Sequence, residues 1–126
     1  MVRKEILSKK AVSIGPYSQG VDSDGLIFLS GQTPVDISTG ELVDGDIKAQ
    51  TQQCFDNLFN VLNEISLTSD DVQKVNVFLT DMNDFSLMNE VYSKQFSEPY
   101  PARTTIGVAS LPKNAKVEIE MIARRR

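Results

Sequence analysis

Val117-Glu118-Ile119-Glu120-Met121-Ile122-Ala123-Arg124 alternates almost without a break. Successive side chains of a strand point to opposite faces of its sheet. Val117, Ile119, Met121 and Ala123 therefore form one apolar face, packed on helices, and Glu118, Glu120, Ile122 and Arg124 form the other. The same division recurs upstream, where Val75, Val77 and Leu79 oppose Asn76, Phe78 and Thr80 within Val72–Thr80. Leu26-Ile27-Phe28-Leu29, inside the run Leu26–Ser30, is apolar on both faces, the pattern of a strand covered on both sides. Runs at Glu5–Ser8, Tyr17–Ser23 and Arg103–Val108 bring the strand candidates to six. Asp22-Ser23-Asp24-Gly25 reads as the hairpin turn between the second and third. Leu111-Pro112-Lys113-Asn114 reads as a turn before the last.

Two segments change period from two to 3.6. After Asp46, a good N-cap, Ile47, Thr51, Cys54/Phe55, Leu58, Val61/Leu62 and Ile65 recur at helical spacing. Lys48, Gln52, Gln53, Asp56, Asn57, Asn60 and Asn63 occupy the other side, so this helix lies on a surface. A second helix starts around Asp81–Asn83, shows Phe85, Leu87/Met88, Val91/Tyr92 and Phe96, and ends before Pro99. Strands outnumber helices and are joined by hairpins, which predicts an α+β fold: a mixed sheet with both helices on one face.

Two helices cannot cover both faces of such a sheet. Phe28, Phe78 and Ile122 then form an exposed apolar patch, and such patches mark partner surfaces. The expectation is a homo-oligomer in which the helix-free faces meet. Strand parity assigns Arg103, Thr105 and Glu118 to that same face, close together if the last two strands pair as a hairpin.

The chain has 126 residues, enough for one domain spanning 1–126 and one core. Its net charge of −4 argues against nucleic acid as a partner, because phosphate binding leaves a basic footprint. The basic run Arg124-Arg125-Arg126 reads as a solvated terminus. Met1–Lys10 carries charges without an apolar core, which does not read as a signal peptide, and no run approaches a membrane span. One cysteine, Cys54, cannot form an intramolecular disulfide, which suits a cytoplasmic protein, and its place on the apolar helix face makes it buried filler. There is no histidine, which excludes a Ser-His-Asp triad, a Cys-His dyad and every histidine-containing metal site. Walker, GxGxxG and CxxC patterns are also missing. Chemistry is left to carboxylates, hydroxyls, amides, arginine, backbone and water.

Arg103, in Pro101-Ala102-Arg103-Thr104-Thr105-Ile106-Gly107-Val108, stands out in this inventory. Arginine rarely enters a packed sheet unless it meets an anion, and its planar fork suits a carboxylate. A structural salt bridge and a bound ligand carboxylate both satisfy that requirement.

Several motifs occur together in order: Ile14-Gly15-Pro16-Tyr17-Ser18-Gln19-Gly20, Leu29-Ser30-Gly31-Gln32, Asn89-Glu90-Val91-Tyr92, Pro101-Ala102-Arg103 and Val117-Glu118-Ile119-Glu120. In that order and spacing they resemble the YjgF/YER-type reactive intermediate deaminases, RidA branch, over essentially the whole chain. The resemblance implies a chorismate-mutase-like fold, with a six-stranded mixed sheet, two helices on one face, and a homotrimer with clefts between subunits. It implies hydrolysis of 2-enamine/2-imine acids to 2-keto acids and ammonia, with no cofactor and no metal. By motif, Arg103 would clamp the substrate carboxylate, and Glu118 would hold or activate water, or only balance Arg103. Tyr17, Ser30, Gly31, Asn89 and Thr105 would line the cleft. Thr105 stands where the family often has cysteine, which leaves hydrolysis intact but not thiol-based regulation; the segment from Asn89 to Arg103 also looks short. A trimeric module that senses a small carboxylate metabolite is the alternative. Ribonuclease activity, reported for some relatives, fits poorly with an acidic chain lacking histidine.

Overall fold

The computed structural model describes residues 3–126. Strands β1 (Lys4–Ile6), β2 (Gly20–Ser23) and β3 (Leu26–Gln32) run antiparallel, with Asp22–Gly25 turning the second into the third. A small hairpin, β4 (Val35–Asp36) and β5 (Glu41–Leu42), leads into helix α1 (Ile47–Asn63). After a 3-10 turn come β6 (Val72–Leu79), helix α2 (Phe85–Ser93), β7 (Ala102–Gly107) and β8 (Val117–Arg124). The main sheet has six strands in the order β1-β2-β3-β8-β6-β7, and only β6 and β7 are parallel. The α+β architecture, a mixed six-stranded sheet with two helices on one face, is therefore present. The strand pair β4–β5 was not among the sequence expectations; it is too short to show a periodicity.

Helix α1 begins where its cap requires. The Asp46 side chain accepts the Ala49 N–H at 3.1 Å, and Ile47, Thr51, Cys54, Phe55, Leu58, Val61 and Leu62 are buried. Helix α2 is shorter than its apolar spacing suggested, ending at Ser93. Phe96 lies beyond it yet remains buried against Phe55, Phe59 and Tyr92. Facing these helices are Ile27, Leu29, Val75, Val77, Leu79, Val117, Ile119 and Met121, each at most 5% exposed. Burying a side chain of this size contributes about 1.5–3 kcal/mol, so this layer dominates stability.

The helix-free face carries the apolar patch expected of it. Phe28 lies directly across from Ile122 on β8, and Phe78 lies across from Ile106 on β7. Phe28 and Ile106 are 41% and 45% exposed.

The final strands correct two expectations. β7 and β8 do not pair as a hairpin, because β6 lies between them. Arg103 and Thr105 also do not share a face with Glu118. They register with Val75 and Val77, which point into the helix-covered core, whereas Glu118 registers with Phe78. The cause is the weak pattern of β7, in which apolar Ile106 sits on the open face and a cation on the covered one. The C-terminal arginines are exposed, as expected of a solvated terminus, and two of them also form ion pairs. Arg125 bridges Asp22 at 2.7 Å, and Arg126 contacts Asp71 through two nitrogens, at 2.6 and 3.0 Å.

Candidate functional site

The residues singled out in the sequence fall into two groups on opposite faces of the sheet. Tyr17, Ser30, Gly31 and Glu118 line one cavity of about 610 Å³, together with Glu120, Gln32 and Lys113. Arg103 and Asn89 line a second hollow of about 380 Å³, with Tyr92, Ser93, Tyr100 and Pro101.

The first cavity is shaped by a bulge. The pairing of β3 with β8 shifts between Leu29 and Gln32, which lifts Ser30 and Gly31 toward the open face. A Cβ on Gly31 would stand 2.6 Å from Glu118 Oε2, so the missing side chain is what lets the carboxylate lie against this strand. Ser30 Oγ donates to the Ser18 carbonyl at 2.6 Å, keeping its lone pairs for a guest. Tyr17 is carried by a tight loop in which Gly15 adopts φ +117°, and the Tyr17 hydroxyl accepts the Ile14 N–H at 3.1 Å. Its own proton stays available. Glu120 accepts from Asn76 Nδ2 at 3.0 Å, whereas Glu118 receives no hydrogen bond from the described residues. Burial pushes the Glu118 carboxyl above the ordinary glutamate range, and neighbouring Glu120 pushes the same way.

The second group centres on a cation. Among the described residues no acidic group forms an ion pair with Arg103. Its Nη1 donates to Asn89 Oδ1 at 2.6 Å, and its Cζ lies 4.5 Å from the Tyr92 ring centre and 5.5 Å from that of Phe85. The hydroxyls of Thr105 and Tyr92 are buried without hydrogen-bond partners. Sequence reading did not single out Phe85 or Tyr92 as site residues. Their spacing with Asn89, i, i+4 and i+7 on one helical stripe, was the available signal.

No group of three or more acidic, cysteine or histidine side chains that could hold a metal occurs among the described residues. No helix is long and apolar enough to cross a membrane. Cys54 is fully buried and its thiol is pushed well up by that burial, so it stays protonated and takes no part in the site.

Fold and site together define a chorismate-mutase-like α+β protein with an ion-pair-free arginine on its edge strand and a glutamate cavity on the opposite face. The family model described as endoribonuclease L-PSP matches residues 8–125, and the chain belongs to that family, the YjgF/RidA proteins. It is 47% identical over 124 residues to a RutC family protein of Pyrococcus abyssi, covering 98% of each. It is also 47% identical to a 2-iminobutanoate/2-iminopropanoate deaminase of Dermatophagoides farinae, over 86% of this chain and 85% of that one. The crystal structure of E. coli TdcF with bound serine matches with a TM-score of 0.92 at 42% identity, covering 98% of this chain and 99% of that one.

Proposed function

We propose that the protein hydrolyses small 2-enamine/2-imine acids, such as 2-iminopropanoate and 2-iminobutanoate, to 2-keto acids and ammonia in the cytoplasm. Arg103 carries this reading: it is a half-buried guanidinium with no ion-pair partner among the described residues, and only its Nη1 is hydrogen-bonded there, to Asn89, which leaves other donors for a carboxylate. A protonated imine is already electrophilic, so the reaction asks for orientation, water and a proton acceptor. Water adds to the imine carbon, the C–N bond of the resulting carbinolamine breaks, and ammonia leaves with the transferred proton. Glu118, which receives no hydrogen bond from the described residues and whose pKa burial raises, suits the group that takes the water proton and returns it to nitrogen. Tyr17 and Ser30 offer a proton and lone pairs across the same cavity.

Arg103 and Glu118 lie on opposite faces of one chain, so a complete site takes Arg103 from one copy and Glu118 from another. The apolar patch of exposed Phe28 and Ile106 with half-buried Ile122 and Phe78 supports such an assembly, read as a closed homotrimer with clefts between subunits. The deaminase name of the mite relative supports the substrate class.

The same separation favours a second reading, a carboxylate-metabolite binding module with a regulatory or protective role, since Arg103 alone binds an anion. That TdcF holds serine is compatible with either. A coupled assay separates them: threonine dehydratase with threonine, timing 2-oxobutanoate release with and without this protein. Acceleration at micromolar protein is expected for the enzyme. Binding of 2-oxobutanoate without acceleration would leave the module.

A further inference from the structure

We infer that helix α2 is a clamp for Arg103, and that Phe85, Asn89 and Tyr92 are positioning residues which set the plane of its guanidinium. This rests on the reading of Arg103 as a carboxylate ligand and says how the chain prepares it. The three residues are spaced i, i+4 and i+7, so they form one stripe along α2, and that stripe lies against the covered side of the edge strand β7. Asn89 Oδ1 takes an Nη1 hydrogen at 2.6 Å, a charge-assisted bond that fixes rotation about the Nε–Cζ axis. The Tyr92 ring supports the cation at 4.5 Å and the Phe85 ring at 5.5 Å, so the guanidinium is held by aromatic surface as well as by the amide.

A long arginine side chain has many rotamers, and an unheld Arg103 would lose that freedom on gripping a ligand. The clamp removes that loss before binding and does so without a counter-charge. A carboxylate at residue 89 would make as good a hydrogen bond and would neutralise the site; an amide orients the cation and leaves its charge available. Residue 89 is thereby assigned to Arg103 rather than to the substrate. Tyr92 acts through its ring, since its hydroxyl is buried and without a partner.

Two measurements test the clamp. Arginine side-chain NMR of isotope-labelled protein without ligand reads guanidinium rotation directly. Wild type and Tyr92→Phe are expected to show restrained Arg103 Nη hydrogens, while Asn89→Ala and Tyr92→Leu show averaged ones. Titration with 2-oxobutanoate reads the consequence: about tenfold weaker binding for Asn89→Ala and Tyr92→Leu. Asn89→Asp should keep the restraint and bind more weakly than Asn89→Ala. Averaged Arg103 hydrogens in wild type, restraint that survives both Asn89→Ala and Tyr92→Leu, or wild-type affinity in Asn89→Asp would each overturn the clamp. Wild type that binds no 2-oxobutanoate would count against the proposed function, and the rotation measurement would still decide the clamp.

Discussion

Arg103, which forms no ion pair among the described residues, and Glu118, which receives no hydrogen bond from them, respond differently to removal. Arg103→Ala deletes a half-buried cation that supports no ion pair among the described residues, so folding loses little while ligand binding loses a charge-assisted contact. A loss of about 3 kcal/mol in productive binding, roughly a hundredfold in kcat/KM, is expected in the coupled assay with the melting temperature nearly unchanged. A large drop in melting temperature would instead make Arg103 a structural residue. Glu118 differs because burial, reinforced by Glu120, raises its folded-state pKa. The folded chain then binds more protons than the unfolded chain between the ordinary glutamate value and the raised one, so stability falls as pH rises through that interval. Glu118→Gln removes this cost. The variant should melt higher than wild type at about pH 8 and equal to it at about pH 3, well below the ordinary glutamate value, where Glu118 is protonated in both states. Its deamination should be lost at both. In wild type, activity should decline as pH falls through the raised Glu118 pKa, above the usual glutamate range.

At the scale of elements, the 3-10 turn before β6 is held more firmly than its length suggests. Thr68 and Asp71 cap each other, with the Asp71 carboxylate accepting the Thr68 N–H at 2.8 Å, and the same carboxylate is gripped by Arg126. Arg126 lowers the Asp71 pKa below the usual carboxylate range, so this contribution is present at neutral pH and fades as pH falls through the lowered value. Asp71→Ala removes the cap and the bridge together and should cost about 2 kcal/mol by urea unfolding at neutral pH. Arg126→Ala, which loses only a largely exposed cation and leaves the cap in place, should cost clearly less than Asp71→Ala in the same urea titration. Chain periodicity announced β8, β6 and α1 because each has one strongly apolar face that the core demands. β7 is different. Arg103, Thr105 and Gly107 on one side and Ala102, Thr104 and Ile106 on the other give it no dominant face, and its partner β6 is reached only through the α2 crossover. Parity counted along such a strand cannot say which side is covered. Motif order singled out Arg103, Glu118, Tyr17, Ser30, Gly31 and Asn89 as candidates, but it carried no information on which of them share a face.

For the whole molecule, that division across the sheet sets the decisive test. If the site combines Arg103 of one copy with Glu118 of another, each single variant is dead at every interface of its own homotrimer. Arg103→Ala still carries an intact glutamate cavity, however, and Glu118→Gln still carries an intact arginine. Dissociating the two variants, mixing them in equal amounts and reassembling them should restore activity. In a closed ring a working cleft arises wherever a Glu118→Gln copy presents its arginine to the Glu118 of an Arg103→Ala copy, so random mixing gives about a quarter of wild-type activity. The apolar patch provides the control. Phe28→Asp places a charge on the helix-free face opposite Ile122, away from both Arg103 and Glu118 in sequence. It should shift the assembly toward monomer by light scattering and abolish deamination, because no copy alone holds both groups on one side. Zero activity in the mixed trimers, or full activity in a Phe28→Asp monomer, would mean that one chain brings Arg103 and Glu118 together despite their opposite faces, and the inter-subunit site would fall.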